Sequence, residues 1–368
     1  MPRVIGIDPG TLSFDLCGLD DGQVFLDTTI PSAEVAANPQ ALIDLLNAHQ
    51  PLDLVIGPSG YGLPWVRIED FGERERFLFI LVDEREAHHE SVLGGMSDLI
   101  DGLKASNLPM VFMPGVIHLP TVPAHRKANK IDMGTADKLC CTALGIVDQA
   151  RHLGIAVDET AFIFVEVGGA YTAVMAVQNG QVVDGLGGSS GAPGFYALGA
   201  MDGELAYLLG RFPKSVLFSG GVAYIAGRST LSPEAFAALD PRDPRVRDAW
   251  AALFEGIVKA VAAELVVVPQ PREILISGRL CRIPIVREEL TRRLSGMAPV
   301  RRVQGICEVA KEAAQGAALI ADGMLGGRYA DLVATMRLKE AQGTVLDYLH
   351  VSVADDLKRA YLGAASPA

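Results

Sequence analysis

Apolar residues fall along this chain in two alternating rhythms. Short unbroken runs such as VIGI (4–7) and ILIS (274–277), bounded by glycine or acid, predict buried strands. Between them lie stretches in which apolar positions recur every three or four residues, and these predict helices packed on one face. The first half predicts strands from Val4 to about Ile30, a helix over PQALIDLLNAHQ (39–50), a strand over LDLVIGPSG (52–60), a helix over SDLIDGLKASN (97–107) and a strand over PMVFMPGV (109–116). The second half, after its own opening strands, predicts a helix over GELAYLLGRF (203–212), a strand over SVLFSGG (215–221), a helix over AWAALFEGIVKAVAAEL (249–265) and a strand over EILISG (273–278). Strands alternating with helices predict a mixed sheet flanked by helices in each half.

The two halves repeat one another. VIGIDPGTLSFDLCGLDDGQVFLDTTI, from Val4, aligns without a gap on FIFVEVGGAYTAVMAVQNGQVVDGLGG, from Phe162. Ile5 falls on Ile163, Gly10 on Gly168, Gly22 on Gly180, Gln23 on Gln181 and Val24 on Val182, while Asp8 falls on Glu166. Each copy reads as a strand, an acid-and-glycine turn, a second strand, a DG or NG turn and a third strand. Asp21-Gly22 and Asn179-Gly180 suit a type I′ hairpin, whose two turn positions both need positive φ. Register kept across both turns points to duplication.

Two further segments, GTADKLCCTALGIVDQ (134–149) and CEVAKEAAQGAALIADGML (307–325), predict helices crowded with Ala136, Ala143, Gly145, Ala310, Ala314, Gly316 and Ala317. Small side chains let two helix axes approach closely, so a crossing of these helices between the domains is expected. LVATMRLKEA and LDYLHVSVADDLKRAYL predict an amphipathic helical tail, expected to cover the second domain or a partner subunit. The domain expectation is 1–150, 151–325 and a helical extension, 326–368.

Composition narrows the chemistry. With 368 residues, 49% hydrophobic and 21% charged, the chain can build two packed cores. A net charge of −12 offers no basic field for nucleic acid, so a polyanionic ligand must be held locally by backbone N–H groups, helix N-termini or a cation. Five cysteines without a CxxC pair read as thiols of a reducing compartment. The first apolar run breaks at Asp8, unlike a signal peptide, and VKAVAAELVVV is interrupted by Lys259 and Glu264. A cytoplasmic protein with no membrane or nucleic-acid partner is expected.

A buried strand that needs only a turn has no use for the acid and hydroxyls of IDPGTLS. These residues resemble the first phosphate motif of the acetate and sugar kinase, Hsp70 and actin superfamily; VEVGGAYT resembles the second, ILISGRL the adenosine turn and AKEAAQGAALIADG the second connecting helix. KIDMGTADKL and GGSSGAPG resemble the family labelled predicted butyrate kinase. The resemblance spans nearly the whole chain to about residue 325. It implies an α/β, duplicated ribonuclease H-like (actin-like ATPase) fold, two domains with a nucleotide cleft between them, and ATP and Mg²⁺ as cofactors.

Carried onto this chain, the resemblance makes Asp8 the Mg²⁺ ligand through water, since that ion dehydrates reluctantly. Gly10, Thr11 and Ser13, with Gly168, Gly169 and Thr172, would hold phosphates through backbone N–H and hydroxyl groups. Ser277, Gly278 and Arg279 form the preferred adenosine turn, and Gly220 and Gly221 remain as cleft residues. Glu166 departs from the usual aspartate or neutral residue; it reaches a metal, takes a proton or pairs with a lysine. Asp132 leads as catalytic acid or base, with Asp137 behind it, against the alternative of a helix cap. Arg126 beside His125, or Arg67, would grip an acceptor carboxylate; the alternative for either is a solvated surface cation, the commoner fate of an arginine. His88 and His89 read as exposed. GGSSGAPG (187–194) wraps the acceptor or the transferred phosphate, or is a flexible connection to the next helix.

The function implied is an ATP-dependent kinase making an acyl phosphate from a short-chain, butyrate-like carboxylate. The alternatives are an ATP-hydrolysing switch acting on a protein partner and a nucleotide sensor; lack of an iron–sulfur cysteine motif argues against a reductase activator. A homodimer is the candidate assembly.

Overall fold

The computed structural model describes residues 2–10, 12–57, 60–82 and 99–362. The chain folds as two units: Met1–Ile131 with Thr135–Leu144 and Gly305–Ala368, and Asp132–Gly134 with Gly145–Gln304.

The first unit holds a six-stranded sheet of β1 (Arg3–Pro9), β2 (Ser13–Asp20), β3 (Gln23–Pro31), β4 (Leu54–Ile56), β5 (Val66–Arg67) and β6 (Met110–Phe112), ordered β3-β2-β1-β4-β6-β5. The second holds β7 (Ala161–Val167), β8 (Thr172–Gln178), β9 (Gln181–Leu186), β10 (Glu273–Ser277) and β11 (Val300–Arg302), ordered β11-β10-β7-β8-β9. From the hairpin side the two sheets share one topology. Three antiparallel strands come first, then two strands parallel to the first, β4 and β6 in one sheet and β10 and β11 in the other. The duplicated α/β architecture read from the sequence is therefore present. Asp21 and Gly22, and Asn179 and Gly180, all take φ between 51° and 68°, as the type I′ turns require.

Burial explains the strands. Val4, Ile5 and Ile7 are buried on β1, as are Phe162, Ile163, Phe164 and Val165 on β7. In the second unit the helix Pro244–Leu265 begins at an Asp243 N-cap with proline in its first turn and lays Leu253, Ile257 and Val261 into a core with Ile163, Val174 and Ile274.

The two small-residue helices form as Ala136–Leu153 and Glu312–Met324. Their close approach is at Gly316, where an added Cβ would overlap the carbonyl of Cys140; both residues lie in the first unit. The other face of the same stripe meets β1: a Cβ on Gly6 would overlap Ala314 and Ala318 backbone atoms and lie 2.7 Å from the Ala317 carbonyl carbon. Helix backbone thus rests on strand backbone, and only alanine and glycine leave room.

Three expectations change. SVLFSGG is no strand: Lys214–Phe218 is a short 3₁₀ helix, with only an isolated Ala197–Gly220 bridge after it. Phe218 is 45% exposed, and β10 takes the sheet position beside β7. β5 and β11 escape the pattern because VR and VRR show neither a buried run nor alternation. The chain from Gly305 onward belongs to the first unit, including the helix expected in the second domain. Its tail is tied there by Trp65 Nε1 to Leu338 O (2.5 Å), His350 N to Asn129 Oδ1 (2.7 Å) and Lys127 Nζ to Tyr348 OH (3.2 Å). Among its described residues it is α-helical over Ala330–Thr335 and Ala354–Leu362, with a short 3₁₀ helix at Leu338–Glu340. Among the described residues, no helix is long and apolar enough to cross a membrane.

Candidate functional site

The first unit's turn is closed by the Gly10 N–H donating to Asp8 O (3.2 Å) and Ser13 O (2.9 Å), and by Ser32 Oγ donating to Gly10 O (2.7 Å). Thr11 lies outside the described residues. Charges crowd this turn. Ser13 Oγ donates to Asp15 Oδ2 (2.9 Å) and accepts from Lys311 Nζ (2.6 Å), which is itself 2.8 Å from Asp15 Oδ2. Asp137, in the first turn of Ala136–Leu153, pairs with Lys138 (2.7 Å) and accepts from the Thr135 hydroxyl.

These charges set one another's protonation. Burial, and then Asp137, push the Asp8 carboxyl up to about 7 against the pull of Lys311 and Lys138. Burial raises Asp137 too, but Lys138 and Thr135 outweigh it and hold that carboxyl below its ordinary value. Two carboxylates in a part-buried place, one of them resisting ionisation, are the kind of donor set that a divalent cation relieves. Among the described residues no three His, Cys, Asp or Glu side chains converge as a complete metal cluster.

In the second unit the matching turn is closed by Gly168 N to Tyr171 O (2.9 Å). The Glu166 carboxylate, buried, lies between this turn and the one after β10: a Cβ would sit 3.1 Å from Glu166 Oε1 if added at Gly168 and 2.7 Å if added at Gly278. Gly278 has φ +93°, which suits only glycine. Ser277 pairs with Glu166 in the β7–β10 register, and its buried Oγ has no hydrogen-bond partner among the described residues. Arg279 grips Glu234 with contacts of 2.9 to 3.1 Å, and its Cδ would lie 3.8 Å from a Cβ on Gly169. Thr172 directs its hydroxyl to Pro193 O at 3.4 Å. Glu166, Gly168, Gly169, Ser277, Gly278 and Arg279 thus gather at one end of the sheet. Gly220 and Gly221 serve another contact, in which the Gly221 N–H donates to Tyr196 O (2.8 Å) and Gly221 packs against Gly194.

Asp132 belongs to the second unit, not the first. Its Oδ1 accepts from Gly134 N (3.1 Å), and its Oδ2 accepts from both Ser189 N (2.9 Å) and Ser189 Oγ (3.1 Å). Its carbonyl accepts from Gly187 N (3.3 Å) and the Ser190 hydroxyl. The residue is tied to GGSSGAPG rather than capping a helix. Arg126 is half-buried in the short helix Ala124–Lys127 of the first unit. Arg67 is exposed and pairs with Glu69 at 3.1 Å, a surface cation. His88 and His89 lie outside the described residues.

Sequence reasoning passed over Asp15, Lys138 and Lys311. The signals were there: Asp15 is an acid inside the otherwise apolar SFDLC strand, and Lys311 opens the small-residue helix.

The sequence profile of the family described as "Protein of unknown function (DUF1464)" matches residues 6–351, and the chain belongs to that family. No curated protein matches it. Among solved structures it is similar to a propionate kinase from Francisella tularensis (TM-score 0.62, 13% identity, covering 86% of this chain and 99% of that one). It is also similar to the acetate kinase of Porphyromonas gingivalis (0.56, 14%, 81% and 88%) and that of Entamoeba histolytica (0.54, 11%, 80% and 86%). At these identities the likeness is one of fold.

Proposed function

We propose that this DUF1464 protein is an ATP- and Mg²⁺-dependent phosphotransferase whose acceptor is a short-chain, butyrate-like carboxylate, giving an acyl phosphate. The observation that carries the reading is the repeated strand–turn–strand, present in both units with one sheet topology, whose first turn bears an acid, a serine hydroxyl and an ammonium. The fold shared with propionate and acetate kinases supports the carboxylate class.

Asp8 would hold Mg²⁺ largely through water, and the ion would neutralise charge on the phosphate oxygens. Gly10, Thr11 and Ser13 in one unit, and Gly168, Gly169 and Thr172 in the other, would meet phosphates with N–H and hydroxyl groups. Ser277, Gly278 and Arg279 would receive the nucleoside, Gly278 because its missing Cβ admits a close approach. Arg126 would steady the acceptor.

A carboxylate acceptor is already ionised at neutral pH and needs no base. One of its oxygens forms a bond to the γ-phosphorus, the bond from that phosphorus to the bridging oxygen breaks, and ADP leaves with the electron pair. The engagement of both Asp132 oxygens with Gly134 and Ser189 favours this acceptor over an alcohol, which must lose a proton. Asp132 then acts as a positioning residue that shapes GGSSGAPG around the acceptor.

The test is ADP release from Mg·ATP with a panel of short carboxylates, sugars and polyols. Release that depends on a carboxylate supports the proposal; release only with a sugar, or indifferent to every acceptor, overturns it in favour of a sugar kinase or an ATPase switch.

A further inference from the structure

We infer that Lys311 is a phosphate-binding residue of the first turn, an ammonium brought to the nucleotide from the start of the helix Glu312–Met324. This rests on the nucleotide reading above and adds a residue to it.

Lys311 Nζ lies 2.6 Å from Ser13 Oγ and 2.8 Å from Asp15 Oδ2, and it would be 2.9 Å from a Cβ added at Gly10. Gly10 therefore makes room for an ammonium over the turn itself. An ammonium has three donors, and Ser13 and Asp15 take two. The side chain is 30% exposed, so the third can meet a ligand.

The position is fixed from below. Asp27 on β3 gathers the successive N–H groups of Glu308 (2.9 Å), Val309 (3.1 Å) and Ala310 (2.7 Å), and Asp15 Oδ1 accepts from Lys311 N (3.3 Å). Downstream, Ala314, Ala317 and Ala318 sit on Gly6 of β1, the strand that leads into the turn. The lysine's backbone is held from all three hairpin strands, so its head group needs little reordering to bind.

Charge makes the residue necessary. Asp8, Asp15 and Asp137 surround the turn, and Lys138 is already paired with Asp137. Without Lys311 the turn would present uncompensated carboxylates to a triphosphate, an arrangement that repels it. A purely structural ion pair with Asp15 explains the 2.8 Å contact but not a part-exposed lysine whose ammonium lies over a glycine turn.

The test compares ATP and adenosine binding, both with Mg²⁺, in the wild type, K311M, K311R and D15N. The expected results are a loss of ATP affinity of about tenfold or more in K311M, adenosine affinity unchanged, partial retention in K311R, and a much smaller loss of ATP affinity in D15N, which keeps an oxygen to accept from Lys311 N. A structural pair would instead make K311M and D15N fall together in stability and binding. Should K311M fail to fold, acetic anhydride labelling of the wild type gives a second readout: ATP should shield Lys311, and adenosine should not. Equal ATP affinity in K311M and wild type, or equal labelling with and without ATP, overturns the inference while leaving the nucleotide reading intact. A wild type that binds no ATP overturns both.

Discussion

Ser189 is joined twice to Asp132, by its backbone N–H at 2.9 Å and its hydroxyl at 3.1 Å, both to the same carboxylate oxygen. This pairing fastens a glycine-rich loop to the segment just ahead of the first small-residue helix. Asp132→Ala leaves several donors without their acceptor and should cost about 3 kcal/mol of unfolding free energy; Ser189→Ala, which keeps the backbone bond, should cost about 1 kcal/mol. Urea unfolding measures both. Identical midpoints for wild type and Asp132→Ala would show that the carboxylate does not hold the loop.

Gly316 meets the carbonyl of Cys140 with no space for a methyl group. Alanine ordinarily stabilises a helix relative to glycine by ~1 kcal/mol, yet here Gly316→Ala should destabilise by about 3 kcal/mol or more, because two backbones must separate. Gly203 opens the helix Gly203–Leu209 with nothing within 4 Å of its added Cβ, so Gly203→Ala should be neutral or slightly stabilising. Thermal unfolding of the two variants checks the opposite signs.

His118 gives a pH dependence whose sign can be worked out. The residue is 2% exposed, and burial pushes its pKa down to about 4, with Gly115 opposing and Lys127 adding to the fall. Between about 6.5 and 4 the unfolded chain takes up a proton that the folded chain refuses. Stability is therefore lost as pH falls through that window, by on the order of 3 kcal/mol from this residue. His118→Gln should flatten that part of the profile when unfolding free energy is measured at successive pH values. A variant profile parallel to the wild type's would contradict the assignment.

Much of this was legible in the chain. The duplication, both type I′ turns and both small-residue helices could be read because each rests on local rules: positive φ at Asp21-Gly22 and Asn179-Gly180, and unbroken apolar runs on β1 and β7. What escaped depends on partners distant in sequence. β11 exists because Val300–Arg302 pairs with β10, not because VRR favours a strand. Asp132 reads as a base or cap until Ser189 is seen beside it, and Lys311 has no visible role until the helix it opens is laid against Gly6. The small-residue stripe announced a close contact, but one stripe serves both Cys140 and β1, which no periodicity distinguishes.

Phosphoryl transfer to a carboxylate can be followed by trapping its product. With butyrate, Mg·ATP and hydroxylamine present, an acyl phosphate is converted to butyryl hydroxamate, whose amount can be followed against ADP. Hydroxamate and ADP are expected in equal amounts, both abolished without butyrate and strongly reduced in Asp8→Asn. ADP formed at the same rate with and without butyrate, and no hydroxamate, would contradict it.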